Sequence, residues 1–154
     1  MDAAGHFTSL HSFSGPDGAY PNRIMQASQQ GDSAQIQRFL PMALGAYGQL
    51  DSVDVDAEYH AAVLHLQGRD ASGALALADT ILATSPGHLF GYIVRGEAAR
   101  LQGDMATRAR ADRDFMAHYD SEMKSKRVEY LEHQPAIEEY RSEAEKGEGG
   151  KEKR

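Results

Sequence analysis

The chain has 154 residues, enough for one modest folded core. It contains no cysteine and no tryptophan, which excludes disulfides, cysteine-ligated metals and thiol nucleophiles. Lys plus Arg number 16 against 23 Asp plus Glu, and the formal net charge of −7 argues against general binding to a phosphate backbone.

Residues 1–19 are rich in Gly, Ser, His and Asp, show no hydropathic period and read as a loose lead-in. They lack the basic start and apolar run of a secretory leader. No stretch approaches the ~18 apolar residues of a membrane span. These features favour a cytoplasmic chain that does not insert into a membrane, although the lack of cysteine suits cytoplasm and periplasm alike. From residue 20 onward the apolar positions recur at helical spacing. Ile36, Phe39, Leu40, Ala43 and Tyr47 form one stripe, and Pro41 is expected to break or kink that helix. Tyr59, Ala62, Val63 and Leu66 form the next, with Asp54 and Asp56 ahead of it as candidate caps. Ala74, Leu75, Ala78, Ile81 and Leu82 follow, and Ser85-Pro86-Gly87 closes that helix. Leu89, Tyr92, Ile93 and Gly96 make a further stripe, and Phe115, Met116 and Tyr119 a shorter one. Tyr130 and Leu131, then Pro135, Ile137, Tyr140 and Ala144, mark one or two last helices, coated by Glu138, Glu139, Arg141, Glu143 and Lys146. Residues 147–154, glycine and charge, read as a disordered tail.

A repeat overlies these stripes. Gln30-Gly31-Asp32, Gln67-Gly68-Arg69 and Gln102-Gly103-Asp104 each fall between two stripes, where a chain leaving one helix for the next needs a residue tolerant of positive φ. The segment from Pro86 to Phe115 resembles a tetratricopeptide repeat. Pro86 takes the place of the closing proline of the preceding unit, Tyr92 the large aromatic, Gly96 the small residue where two helices touch, and Gly103-Asp104 the turn. Ala109 falls one place later than in the family pattern. The unit from Asp56 to Pro86 matches through Gly68, Ala74, Ala78 and Ile81, with the same extension and with Ala61 at the small position; Tyr20 to Leu50 is a degenerate unit keeping the turn Gly31-Asp32. The resemblance implies an all-α fold: a short solenoid of two to three tetratricopeptide-like hairpins over residues 20–146, with a C-terminal capping helix.

It also implies a concave groove lined by first helices, which holds a segment of another protein. Carried onto this chain, that groove comprises Glu58, Ala62, His65 and Leu66 of one unit and Phe90, Ile93, Glu97, Arg100 and Leu101 of the next. The family's carboxylate clamp uses Lys and Asn at groove places that Ile93 and Glu97 hold here, so no clamp is expected. Residues 51–100 hold seven acids and three bases, which suits a partner with basic residues around an apolar anchor. The competing outcome is that the C-terminal helix fills this groove itself.

Other chemistry is weakly represented. His60 and His65 stand five apart, off the i, i+4 spacing of a helical zinc pair, and His88, His118 and His133 have no second histidine at that spacing. The run Asp51 to Glu58 lacks the glycine and distal glutamate of a calcium loop. No nucleophile elbow or phosphate loop is present. Arg108, Arg110, Arg113, Lys124, Lys126 and Arg127 alternate with Asp112, Asp114, Asp120 and Glu122, the pattern of a solvated face. The expectation is a non-catalytic scaffold or adaptor, a subunit of an assembly, with no cofactor and no metal. The alternative is a self-associating structural protein that dimerises through an unfinished repeat face. A small-ligand carrier or enzyme ranks below both, and clustered histidines or paired carboxylates in a pocket would favour it.

Overall fold

Each apolar stripe of sufficient length becomes a helix. The computed structural model describes residues 19–48 and 54–152; residues 1–18 of the expected lead-in, residues 49–53 and residues 153–154 lie outside them. Among the described residues there are eight helices and no strand: α1 Ala19–Gln29, α2 Ser33–Gly48, α3 Val55–Gln67, α4 Ala71–Thr84, α5 Leu89–Gln102, α6 Met105–Lys124, α7 Val128–Glu132 and α8 Gln134–Glu152. Neighbours in sequence are neighbours in space. The helices α1 and α2, α3 and α4, and α5 and α6 pack as pairs, α2 meets α3, α4 meets α5, and α8 lies against α5, α6 and α7.

The three pairs share one turn. Asp32 N–H donates to the Ala27 carbonyl (2.8 Å), Asp70 N–H to that of His65 (2.8 Å) and Asp104 N–H to that of Ala99 (2.9 Å). The residue before each Asp is left-handed: Gly31 at φ 69°, Arg69 at φ 61° and Gly103 at φ 70°. Together these features satisfy the orphan carbonyls of the outgoing helix. Each Asp then caps the next helix, its Oδ1 accepting the backbone N–H of Gln35 (3.2 Å), Gly73 (3.0 Å) or Thr107 (3.1 Å).

This corrects the expected register. The left-handed position of the middle turn is Arg69, and Gly68 has φ −78°. Gly68 serves a different need: a Cβ there would lie 2.2 Å from Leu40 Cδ2, so the missing side chain lets α2 meet the end of α3. Counted from the capping Asp, the fourth, eighth and eleventh residues are Ile36, Leu40 and Ala43, then Ala74, Ala78 and Ile81, then Arg108, Asp112 and Phe115. The third pair thus places Arg108, not Ala109, at the position where the second has Ala74.

Two further expectations change. Of the break or kink expected at Pro41, the break does not occur: helix α2 runs on through it. Pro41 and Gln37, whose carbonyl loses its partner, are both exposed, so water can serve that oxygen. Helix α8 continues to Glu152 and takes in residues 147–152, which the composition assigns to a tail. The main core gathers Tyr59, Ala62, Leu66, Ala74, Ala78, Ile81, Phe90, Ile93, Phe115, Tyr130, Ile137, Tyr140 and Ala144. A smaller cluster joins Ile24, Ile36, Phe39 and Ala43 to Leu64. Tyr59 and Phe90 stack at 4.1 Å between ring centroids, and Tyr130 meets Phe90 edge-on at 5.5 Å. Truncating such a buried ring costs about 3–5 kcal/mol.

Candidate functional site

The face predicted as a groove is interior. Glu58, Ala62, Leu66, Phe90, Ile93 and Glu97 are buried, and His65, Arg100 and Leu101 are half-buried. Ala62, Leu66, Phe90 and Ile93 do come together, and Ile137, Tyr140 and Ala144 of α8 complete their cluster. His65 instead holds a turn, its Nδ1 2.9 Å from Asp70 Oδ2.

Gly96 lets α8 approach. A Cβ on it would fall 2.0 Å from the Tyr140 hydroxyl, so this small residue faces α8, not the paired helix that the repeat pattern implies. The Tyr140 hydroxyl donates to Asp112 (2.7 Å), and Arg108 donates to Asp112 (2.8 Å) and Glu97 (3.2 Å). Arg100 also donates to Glu97 (2.6 Å), and Arg108 lies over the Tyr140 ring at 4.8 Å. Burial pushes the Tyr140 hydroxyl well above its ordinary value, which keeps it a donor. Arg108 and Asp112, expected on a solvated face, are therefore buried partners in a network of two acids and two guanidinium groups. Removing one member of such a buried set costs about 3–5 kcal/mol, because the others are left uncompensated. Beside it, a cavity of about 10 Å³, room for no more than one water, is lined by Tyr59, Ile93, Glu97, Ala136, Glu139, Tyr140 and Glu143. The buried Tyr59 hydroxyl has no hydrogen-bond partner among the described residues.

At the other end of α5, the chain is latched to α7. His88 caps α5, its Nδ1 accepting Phe90 N–H (3.2 Å), so its Nε2 carries the hydrogen given to Glu129 Oε1 at 3.0 Å. The Tyr130 hydroxyl accepts Leu89 N–H (2.9 Å) and donates to Glu122 (2.6 Å).

Among the described residues, one group of three metal-type donors converges: Asp56, His60 and His133. Asp54 caps α3 through Ala57 N–H (2.8 Å), which places Asp56 in the first turn and His60 one turn later on the same face. His133 follows α7 directly and arrives from 73 residues beyond His60. Its Nε2 lies 3.1 Å from His60 Nε2 and 2.7 Å from Asp56 Oδ1, and His60 Nε2 lies 3.8 Å from the same oxygen. The His133 ring packs T-shaped against those of Tyr59 and Phe90, at 5.2 and 5.4 Å between centroids. Local spacing of histidines misses this group because His133 is brought in by the tertiary fold. Asp56 and His60, at i, i+4, were the visible half of the signal. His88 likewise finds its acid, Glu129, from 41 residues away.

Next to the Arg108–Asp112 pair, Met105, Ala106, Ala109, Arg113 and Gly147 join those two residues in lining an open groove of about 470 Å³ between α6 and α8. No helix among the described residues is long and apolar enough to cross a membrane. The fold is all-helical. No family model matches the chain, and neither a curated protein nor a solved structure does.

Proposed function

We propose that this chain is a non-catalytic, tetratricopeptide-like module that works through protein–protein contact, a short solenoid of hairpins capped by α8. The observation that carries the reading is the recurring turn. A left-handed residue followed by a capping Asp joins all three helix pairs, at Gly31–Asp32, Arg69–Asp70 and Gly103–Asp104. Units with equal turns stack in register and build extended surface, the usual use of such arrays. Because α8 covers the first-helix face, the docking surface is the groove between α6 and α8. Met105 stands 64% exposed at its edge, Ala106 and Ala109 give it an apolar floor, and Arg113 borders it. That suits the apolar face of an amphipathic segment from another protein.

A photo-crosslinking residue in place of Met105, introduced in the native cell, tests this. A covalent adduct with one other protein, lost in an Ala109→Glu variant, is the expected result. Adducts only with a second copy of the chain would replace the adaptor reading with self-association, and no adduct at all would overturn docking at this groove. A second reading, a small-ligand or metal carrier, is favoured by the convergence of Asp56, His60 and His133.

A further inference from the structure

We propose that Asp56, His60 and His133 bind one divalent transition-metal ion of the zinc class. The inference stands on the geometry of this cluster and is independent of docking at the α6–α8 groove. Two imidazole nitrogens and one carboxylate oxygen are the donor set that zinc prefers when cysteine is absent. The three donor atoms are 2.7, 3.1 and 3.8 Å apart. A tetrahedral ion with bonds of about 2.0–2.1 Å holds its donors about 3.3 Å apart, within the observed range.

Hydrogen counting points the same way. A ring nitrogen carries one hydrogen or one in-plane lone pair, not both. His133 Nε2 faces two groups at contact distance, so a single hydrogen or lone pair meets one of them head-on and the other off axis. One cation at the centre accepts a lone pair from all three atoms. The site is also built rigidly. Two donors share one face of α3, and the third side chain is 2% exposed and set edge-on against the stacked rings of Tyr59 and Phe90. Asp56, 30% exposed, leaves one side of the cluster toward solvent, where a water can take the fourth position. The bound ion would tie the start of α3 to the junction of α7 and α8, and so cross-link the capping helix to a helix pair 77 residues upstream.

The untagged full chain is titrated with zinc chloride by calorimetry and with cobalt(II) chloride by visible absorption. One equivalent bound per chain, with the visible bands of four- or five-coordinate cobalt, is expected, together with a higher melting temperature in zinc. His60→Ala and Asp56→Asn, both at partly exposed positions, should each weaken binding by more than about tenfold and abolish the melting shift. His65→Ala and His118→Ala should keep the full equivalent. No binding at micromolar zinc, or binding and melting shifts unchanged in His60→Ala and Asp56→Asn, overturns the site and leaves a hydrogen-bonded triad.

Discussion

His88 shows how one side chain can couple stability to pH. It is fully buried, caps α5 through Nδ1 and spends its Nε2 hydrogen on Glu129. Burial lowers its affinity for a second proton below the ordinary histidine value, and the Glu129 contact opposes that shift only in part. In the unfolded chain the imidazole titrates near about 6.5. The unfolded state therefore binds more protons below that value, so this contribution is present above it and is lost as pH falls through it. Thermal melts should show stability falling from about pH 7.5 to about pH 5.5, with a shallower fall in His88→Gln; equal slopes would contradict the buried neutral imidazole. The capping carboxylates act elsewhere on the scale. The Gly73 N–H and His65 hold Asp70 below the usual carboxylate range, and the Thr107 hydroxyl and N–H do the same for Asp104. Their contributions are present above the ordinary carboxylate value and are lost only in acid, well clear of the His88 window.

At the scale of the element, the helices were legible and their junctions were only half so. Amphipathic stripes such as Ala74, Ala78 and Ile81 mark a buried face directly, because only a helix brings those positions to one side. The turns misled because the eye follows glycine. The recurring triplet Gln-Gly-charged aligns Gly68 with Gly31 and Gly103, yet the left-handed residue is Arg69 and the residue common to all three turns is the capping Asp. Gly68 answers to Leu40 across the α2–α3 contact, and no local pattern announces a long-range approach. A test follows. An L-residue in the left-handed region costs about 1–2 kcal/mol, part of which glycine returns through unfolded-chain entropy. Arg69→Gly should stabilise the fold by about 0.5–1 kcal/mol, and Gly31→Ala and Gly103→Ala should each destabilise it by about 1 kcal/mol. For a domain of this size that amounts to a melting shift of about 2–4 °C per kcal/mol in calorimetry. Destabilisation by Arg69→Gly would place the turn at Gly68 after all.

At the scale of the whole molecule, α8 decides what the fold can offer. Four of the residues expected to line a groove, Ala62, Leu66, Phe90 and Ile93, share one core cluster, and that grouping was legible from helical register. Their occupant was legible only as an alternative, because an apolar stripe such as Ile137, Tyr140 and Ala144 does not say which face it will meet. The structure supplies the missing terms: room at Gly96 for the Tyr140 hydroxyl, and Arg108 and Asp112 at positions where the second pair has Ala74 and Ala78. With that polar pair in place of two alanines, the face of the third helix pair receives a tyrosine hydroxyl. The convergence of Asp56 and His60 with His133 is a consequence of the same docking and was invisible to local spacing. Gly96→Leu should therefore act on α8 first, costing about 1–3 kcal/mol by overpacking. Hydrogen exchange read by mass spectrometry tests this closure most directly. In the native chain the amides of 137–144 should be protected to the level of α5, and Gly96→Leu should release them while α1 and α2 stay unchanged. Fast exchange of 137–144 in the native chain, or a Gly96→Leu variant that leaves their protection intact, would contradict a face closed by α8.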